Sequence, residues 1–469
     1  MKEELLSLVN GAVKRAIELG FDEAAVLSVY RESTMVKFAN GEPSIVQSWS
    51  SNQMSIYVSK EKRLLGTSAP ASSLEEAYRM LANLGRISAK MPPSILYAPL
   101  PEPRSVEPLS GLVDRKALEA VSDPSRASEV IVEAVQRRDI ESFAGMLQIS
   151  YSVKALATNT GSELAEDSTE VQAYVRAFAG EGSGQWAYGS RTLDLSKLEE
   201  MAETASDLAY RSRRQENISP GKYNILLSPM VAGNLLNYVA WMATGSSVLL
   251  GQSIFINKKP GDTVASEKLT LMDVPRQPQL PGSTAFDDEG IPTYNKPIIE
   301  RGYLKTLLHN TKTAAKLGAK STGNAGLVFP RVWALSVEPG EMSFEELLEE
   351  TGNGLVVTNN WYTRLQNYVE GIFSTITRDA AFIVKNGEIV GAARKFRIAD
   401  TLPNLLRNIS SLGKEVYDIY WWEVEIPTRT PYILAKNIGT SKHTAKIFYF
   451  LKEASWILRM QRCLCLFNA

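Results

Sequence analysis

The sequence predicts an α+β protein: duplicated N-terminal α-β-β-β-α units, followed by a mostly antiparallel β domain with a few helices. Three observations lead there. Amphipathic helical stretches flank runs of alternating apolar and polar residues in the first 90 residues. That order recurs at offsets of 120, 123 and 124 residues, through Gly41 and Gly161, Gly66 and Gly189, and Leu74 and Leu198. After Pro220, tight-turn signatures separate short apolar runs.

In chain order, residues 2–19 read as a helix, with Leu5, Leu6, Val9, Val13 and Ile17 near a 3.6-residue period. Alternating strands follow, with Asn40-Gly41 as a turn between two of them. Ser73 and Glu76 fit a capping box for a second helix. In the second unit, Asp123 is the expected N-cap and Pro124 the first helical residue. Three strands follow, then a helix from Ser196 to Ala209 whose Leu198-Glu199-Glu200 echoes Leu74-Glu75-Glu76. The expected division is 1–91 for the first repeat, 92–111 for a Pro-rich surface connector and 112–215 for the second repeat. Residues 216–440 form the β-rich domain and 441–469 an unusually apolar tail.

Within the β-rich domain, Ser228-Pro229 should cap a helix running to about Thr244. Arg301-Gly302 and Asn386-Gly387 mark hairpins. "SFEELLEETGNG" reads as a capped helix ended by Gly352, and "DTLPNLLRNISSLG" as another helix.

Composition excludes several functions. The net charge of −1 offers no basic stripe for nucleic acid or an anionic membrane. The two cysteines, Cys463 and Cys465, fall in the last seven residues, so disulfides do not build the fold and a reducing cytoplasm suits it. The N-terminus reads as an amphipathic helix rather than a signal peptide, and no run of roughly 18 apolar residues predicts a membrane span. Two histidines, His309 and His443, cannot build a multi-histidine zinc site on one helix.

The acidic turn Asp287-Asp288-Glu289 lacks the alternating acids and distal Glu of a calcium loop, so a solvated or hydrogen-bonded turn is expected. Lys320 to Gly326, "KSTGNAG", has the wrong order for a phosphate loop and reads as a backbone-rich loop lining a groove. His309 reads as structural rather than as a general base.

Taken in order, "NILLSPMVAGNLLNYV", "STAFDDEG", "IIERGYLKTLLHN", "AAKLGAKSTGNAG" and "VKNGEIVGAARKFRIADTLPNLLRNISSLG" resemble the TldD/PmbA family of metalloproteases and gyrase modulators. The resemblance runs from about Lys222 to Leu434 and more loosely through the N-terminal half. In that family the TldD kind carries a His-Glu-x-x-x-His zinc motif on the helix after the buried strand. The PmbA (TldE) kind lacks it and pairs with TldD. Here Asn237, Tyr238 and Met242 stand at those places. None replaces the motif: an amide is a poor zinc ligand, a thioether is too soft, and a phenol cannot serve as the carboxylate base.

The resemblance therefore implies a PmbA-like, non-catalytic chain with no catalytic, cofactor or metal residues of its own. Zinc is expected in a TldD-like sister chain, and peptides or unfolded proteins are the expected substrate. A homodimer stays open. Two other readings stay open as well: a metallopeptidase or hydrolase active in its own right through an unrecognised site, for which the Asp287-Asp288-Glu289 turn is the only candidate, and a peptide-binding or regulatory module without enzymatic role.

Overall fold

The computed structural model describes residues 1–442. His443, Cys463, Cys465 and all of the apolar tail beyond Lys442 lie outside the described residues.

The N-terminal half is two α-β-β-β-α units that share one sheet. The first comprises α1 (Lys2–Glu18), β1 (Glu23–Ala39), β2 (Glu42–Lys60), β3 (Arg63–Pro70) and α2 (Leu74–Ser88). A short helix absent from the sequence reading, α3 (Arg115–Ser122), precedes the second unit. That unit comprises α4 (Ser125–Gln136), β4 (Ser142–Thr158), β5 (Glu163–Ala179), β6 (Gly182–Ser190) and α5 (Leu195–Arg211). The strands run β3-β2-β1-β4-β5-β6, all antiparallel. The units join where β1 pairs with β4, from Ala25 opposite Thr158 to Phe38 opposite Gly145.

The local signals explain these elements. α1 buries Leu5, Val9, Ala12, Val13 and Ala16; of the residues expected on that face, Leu6 is half-buried and Ile17 is exposed. The Ser73/Glu76 capping box forms on α2. Asn40 and Gly41 take φ of 54° and 88° in the β1–β2 turn, a conformation that suits these two residue types.

Three expectations need correction. Pro124, not Asp123, caps α4, which starts at Ser125; Asp123 ends α3, and its carboxylate accepts from the Ser125 N–H at 3.1 Å. α5 is capped by Asp194, so its Leu-Glu-Glu lies one turn deeper than the triplet that opens α2. Gly66 sits in the middle of β3 and Gly189 next to the end of β6, so these glycines are not equivalent. The duplication is real in topology. The residue echoes caught the shared amphipathic pattern and not the caps, because period fixes a helix's face without fixing where it starts.

The C-terminal half begins with β7 (Gln215–Glu216), β8 (Gly221–Leu227) and α6 (Pro229–Met242). β8 is central in a ten-stranded sheet, parallel to Gly354–Val357 on one side and antiparallel to Ile433–Lys442 on the other. A second six-stranded sheet holds the Lys296–Glu300/Tyr303–Leu304 hairpin. Most pairings are antiparallel. The Asn386-Gly387 hairpin forms with φ of 51° and 81°. "DTLPNLLRNISSLG" gives only a helical turn and a half, Leu402–Arg407; Ile409–Leu412 is a strand on the final strand Ile433–Lys442. Sheet pairing here overrides a helix-compatible pattern.

One apolar core joins α4, α5 and the β4–β6 face to Leu226, Val356, Phe382 and Trp421 of the C-terminal half. A second lies under α6, and a third under α1 and α2. The shared core fixes the N-terminal sheet against α6 and opens a cleft between them.

Candidate functional site: the cleft beneath helix α6

The cleft has a volume of about 860 Å³. One wall is α6, through Asn234, Asn237, Tyr238 and Trp241. The opposite wall is the N-terminal sheet, through Arg31, Lys154, Glu166, Glu170 and Arg191. Trp333, Tyr368, Tyr420, Trp422 and Glu423 complete it.

Local sequence sets α6. Ser228 accepts from the Val231 N–H and Pro229 opens the first turn, as the sequence predicts. The helix is apolar on nearly every side and buried from Pro229 to Asn237. Two amides interrupt that apolar run three residues apart, on one helix face. Asn234 Nδ2 donates to the Glu423 carbonyl at 2.6 Å, while its Oδ1 accepts from Asn360 Nδ2 at 2.8 Å and Thr363 Oγ1 at 2.7 Å. Asn237 Oδ1 accepts from the Ile426 N–H at 2.8 Å, and its Nδ2 donates to Thr428 Oγ1 at 2.9 Å and the Ile426 carbonyl at 3.2 Å. Both amides serve as buried brackets that hold the Asn360 and Thr363 side chains and the backbone at Glu423 and Ile426.

Tyr238 is half-buried and its hydroxyl donates to the Thr363 carbonyl at 3.3 Å; burial raises its pKa, so the phenol stays neutral. Met242 is fully buried in the core below the helix. Of the three residues that the resemblance sets at the family's zinc motif, Asn237 and Tyr238 border the cleft and Met242 does not. Their donor set does not fit zinc, which needs imidazole, thiolate or carboxylate ligands and an open position for water. Among the described residues, no group of three or more His, Cys, Asp and Glu is placed to hold a metal ion.

The acidic turn is a buried polar keystone. Asp287, Asp288 and Glu289 are all within the interior, which settles the sequence alternatives in favour of the hydrogen-bonded turn over the solvated one. The Asp287 carboxylate accepts from the N–H groups of Glu289 at 3.0 Å, Ile291 at 2.9 Å and Ala325 at 3.0 Å. Burial, then the nearby Glu289 carboxylate, pushes Asp287 up to about 7 against those three donors. Glu289 pairs with Lys312 at 2.7 Å and accepts from the Thr311 N–H at 2.9 Å. Only Asp288 reaches the cleft, 3.5 Å from Lys154 Nζ. The lone pairs of Asp287 and Glu289 are spent inside the protein, so the turn offers no carboxylate pair to a reacting group.

The "KSTGNAG" loop differs from expectation. It does not line the cleft but stands behind it. Asn324 is buried, with Nδ2 donating to Asp273 at 2.7 Å and Oδ1 accepting from Lys296 at 3.1 Å. The Gly323 carbonyl accepts from the Trp333 indole at 2.8 Å, holding that ring at the cleft wall. His309 is buried, its Nδ1 is 3.3 Å from Thr313 Oγ1, and burial lowers its pKa to about 4. A neutral, enclosed imidazole is structural.

Sequence reasoning missed Asn234, Lys154, Lys312 and the buried Asp273–Lys296 pair at 2.9 Å. Only Asn234 left a signal, as the second amide on an otherwise apolar helix. The others are recognisable only once distant strands meet.

The fold and this cleft define a class of protein. Family models of PmbA/TldA metallopeptidases match the chain in three parts: domain 1 over residues 24–87, the central domain over 100–213 and the C-terminal domain over 220–442. The chain belongs to the PmbA/TldD family. It is 26% identical over 328 residues to a metalloprotease of Methanothermobacter thermautotrophicus, spanning 66% of this chain and 69% of that one. It is 29% identical over 306 residues to the metalloprotease PmbA of Escherichia coli O157:H7, spanning 64% and 65%. TldE from Thermococcus kodakarensis superposes with a TM-score of 0.80 at 19% identity, over 92% of this chain and all of that one. A Thermotoga maritima protein named as a modulator of a DNA gyrase gives 0.80 at 23%, over 93% and 99%. These last two likenesses establish a shared fold. Among the described residues no helix is long and apolar enough to cross a membrane.

Proposed function

We propose that this chain is a non-catalytic, PmbA/TldE-like subunit of a TldD-type zinc metalloprotease assembly that acts on peptides or unfolded proteins. The observation that carries the reading is the chemistry of α6. At the motif positions an amide brackets Ile426, a neutral phenol bonds Thr363, and a thioether is sealed in the core. None can ligate zinc or activate its water. A TldD-like sister chain then supplies both metal and base. The aromatic rims of the cleft, Trp241, Tyr368 and Trp422, suit extended peptide of varied sequence, because ring faces pack on many side chains. The relatives named as metalloproteases support the class, and the same reading puts the assembly in the cytoplasm.

The test is to purify the full chain alone and together with a sister chain that carries His-Glu-x-x-x-His. Zinc is measured per chain, and cleavage of an unfolded protein is followed. Zinc and cleavage are expected only with the sister present. Stoichiometric zinc and robust cleavage by this chain alone would overturn the proposal.

A further inference from the structure

The charged side chains of the cleft are not matched one to one. On the wall formed by the N-terminal sheet, Arg31 pairs with Glu170 at 3.2 Å and Lys154 with Asp288 at 3.5 Å. Glu166 accepts from the Thr284 hydroxyl and, at 2.9 Å, from the Ala285 N–H. These contacts engage each carboxylate of that wall. Two guanidinium groups of the cleft are left over, Arg191 and Arg331.

Arg191 is only 6% exposed. Its Nη1 donates to the Thr169 carbonyl at 3.1 Å and its Nη2 to the Ser283 carbonyl at 2.8 Å, while Nε has no acceptor among the described residues. Neither carbonyl carries a charge, and no carboxylate pairs with Arg191 among the described residues. Keeping an unpaired charge out of water is costly, and a group of this kind in a cleft marks a functional candidate. Arg331 is exposed, with its guanidinium 4.6 Å from the centroid of the Trp333 ring. It too pairs with no carboxylate among the described residues.

Tyr420 connects the two. Gly189 makes room for it, since a Cβ there would stand 2.3 Å from the Tyr420 Cβ. Glu170, then burial, pushes the phenol up to about 12, while Arg31, Arg191 and Arg331 act against that shift. All three guanidinium groups are thus within electrostatic reach of Tyr420. Its hydroxyl is protonated and makes no hydrogen bond among the described residues, so it is a free donor at the cleft. The other acids of the cleft, Glu423 and Glu425, act on Tyr238 at the α6 wall.

We propose that Arg331, Tyr420 and Arg191 form an anion subsite that anchors a carboxylate of a bound peptide, either its C-terminal group or an Asp or Glu side chain. Arg331 and Tyr420 donate the hydrogen bonds, and Arg191 supplies unneutralised charge from beneath. A planar guanidinium fork matches a carboxylate, and carboxylates are the anions an unmodified peptide carries. The subsite rests on the reading of the cleft as a peptide groove and adds selection by charge at the N-terminal sheet.

The test is isothermal titration of the full chain, alone and with its sister chain. The probes are three N-acetylated versions of one short unstructured peptide: a neutral C-terminal amide, the same sequence with a free C-terminal carboxylate, and the amide with one Gln replaced by Glu. At least one charged version should bind wild type about tenfold or more tighter than the neutral one, and which one does so identifies the source of the carboxylate. Read as the ratio of charged to neutral affinity, that preference should fall to about threefold or less in Arg331→Gln and should shrink in Tyr420→Phe. Arg191→Gln, with its fold checked by melting temperature, should lower the ratio as Arg331→Gln does. Equal binding of the three versions by wild type overturns the subsite and leaves the peptide groove standing. A preference that Arg331→Gln and Tyr420→Phe both leave intact overturns it as well. Binding of none of the three removes the groove, and the subsite with it.

Discussion

Asn237 grips both backbone polar groups of Ile426, accepting from its N–H at 2.8 Å and donating to its carbonyl at 3.2 Å. The side chain that the resemblance sets at the first zinc-motif position is thus committed to backbone bracketing. Asn237→Ala leaves the half-buried Ile426 N–H and the buried Thr428 hydroxyl without this partner and should destabilise by about 1–3 kcal/mol in urea unfolding. Grafting the motif as Asn237→His, Tyr238→Glu and Met242→His should not create a stoichiometric zinc site, because position 242 is sealed in the core. Zinc measured at one per chain in a stable graft would contradict this account of α6.

The Glu289–Lys312 pair is buried on both sides, at 1% and 3% side-chain exposure. Removing one partner strands the other charge in the interior. Lys312→Met should cost about 3–5 kcal/mol. Adding Glu289→Gln should recover part of that loss. Denaturant midpoints for the two singles and the double give the coupling, and strict additivity would refute it.

Asp287 and His309 give stability opposite pH dependences. Asp287 has a folded pKa of about 7 against 3.8 unfolded, so its contribution is full at acid pH and lost as pH rises toward 7. His309 has a folded pKa of about 4 against 6.5, so its contribution is full above 6.5 and lost as pH falls toward 4. Between those limits they offset one another. His309→Gln should therefore gain stability relative to wild type as pH falls from 6.5 to 4, and Asp287→Asn should lose it. Asp287→Asn also sets its Nδ2 against the Ala325 N–H, lowering stability at every pH. Urea midpoints from pH 4 to 8 read both slopes, and parallel profiles for the three proteins would reject the assignment.

Trp241 and Trp422 are 38% and 51% exposed at the cleft. If the cleft receives peptide, Trp241→Ala and Trp422→Ala should raise the KM of the assembled protease several-fold, at about 1–2 kcal/mol per ring lost. The melting temperature should move little. An unchanged KM would separate the cleft from substrate binding.

Turn chemistry and several helix caps, though not those of α4 and α5, were legible in the sequence because they depend on neighbours in the chain. Asn40-Gly41, Asn386-Gly387, Ser73/Glu76 and Ser228-Pro229 each form as their local chemistry prescribes. The reach of the Leu402 helix was not, since Ile409–Leu412 is claimed by a strand more than twenty residues later in the chain.

By itself the sequence determined the α+β class and the duplicated unit, which follow from residue type and local spacing; the place of Asn237, Tyr238 and Met242 at a zinc motif is what the family resemblance implies. The tertiary structure alone decided that the acids of the Asp287-Asp288-Glu289 turn are buried and saturated, and that the Lys320–Gly326 loop props Trp333 from behind. Charge and composition do not reveal burial. Burial depends on which distant segments arrive, and here Ala325, Lys312 and Lys154 arrive at the turn.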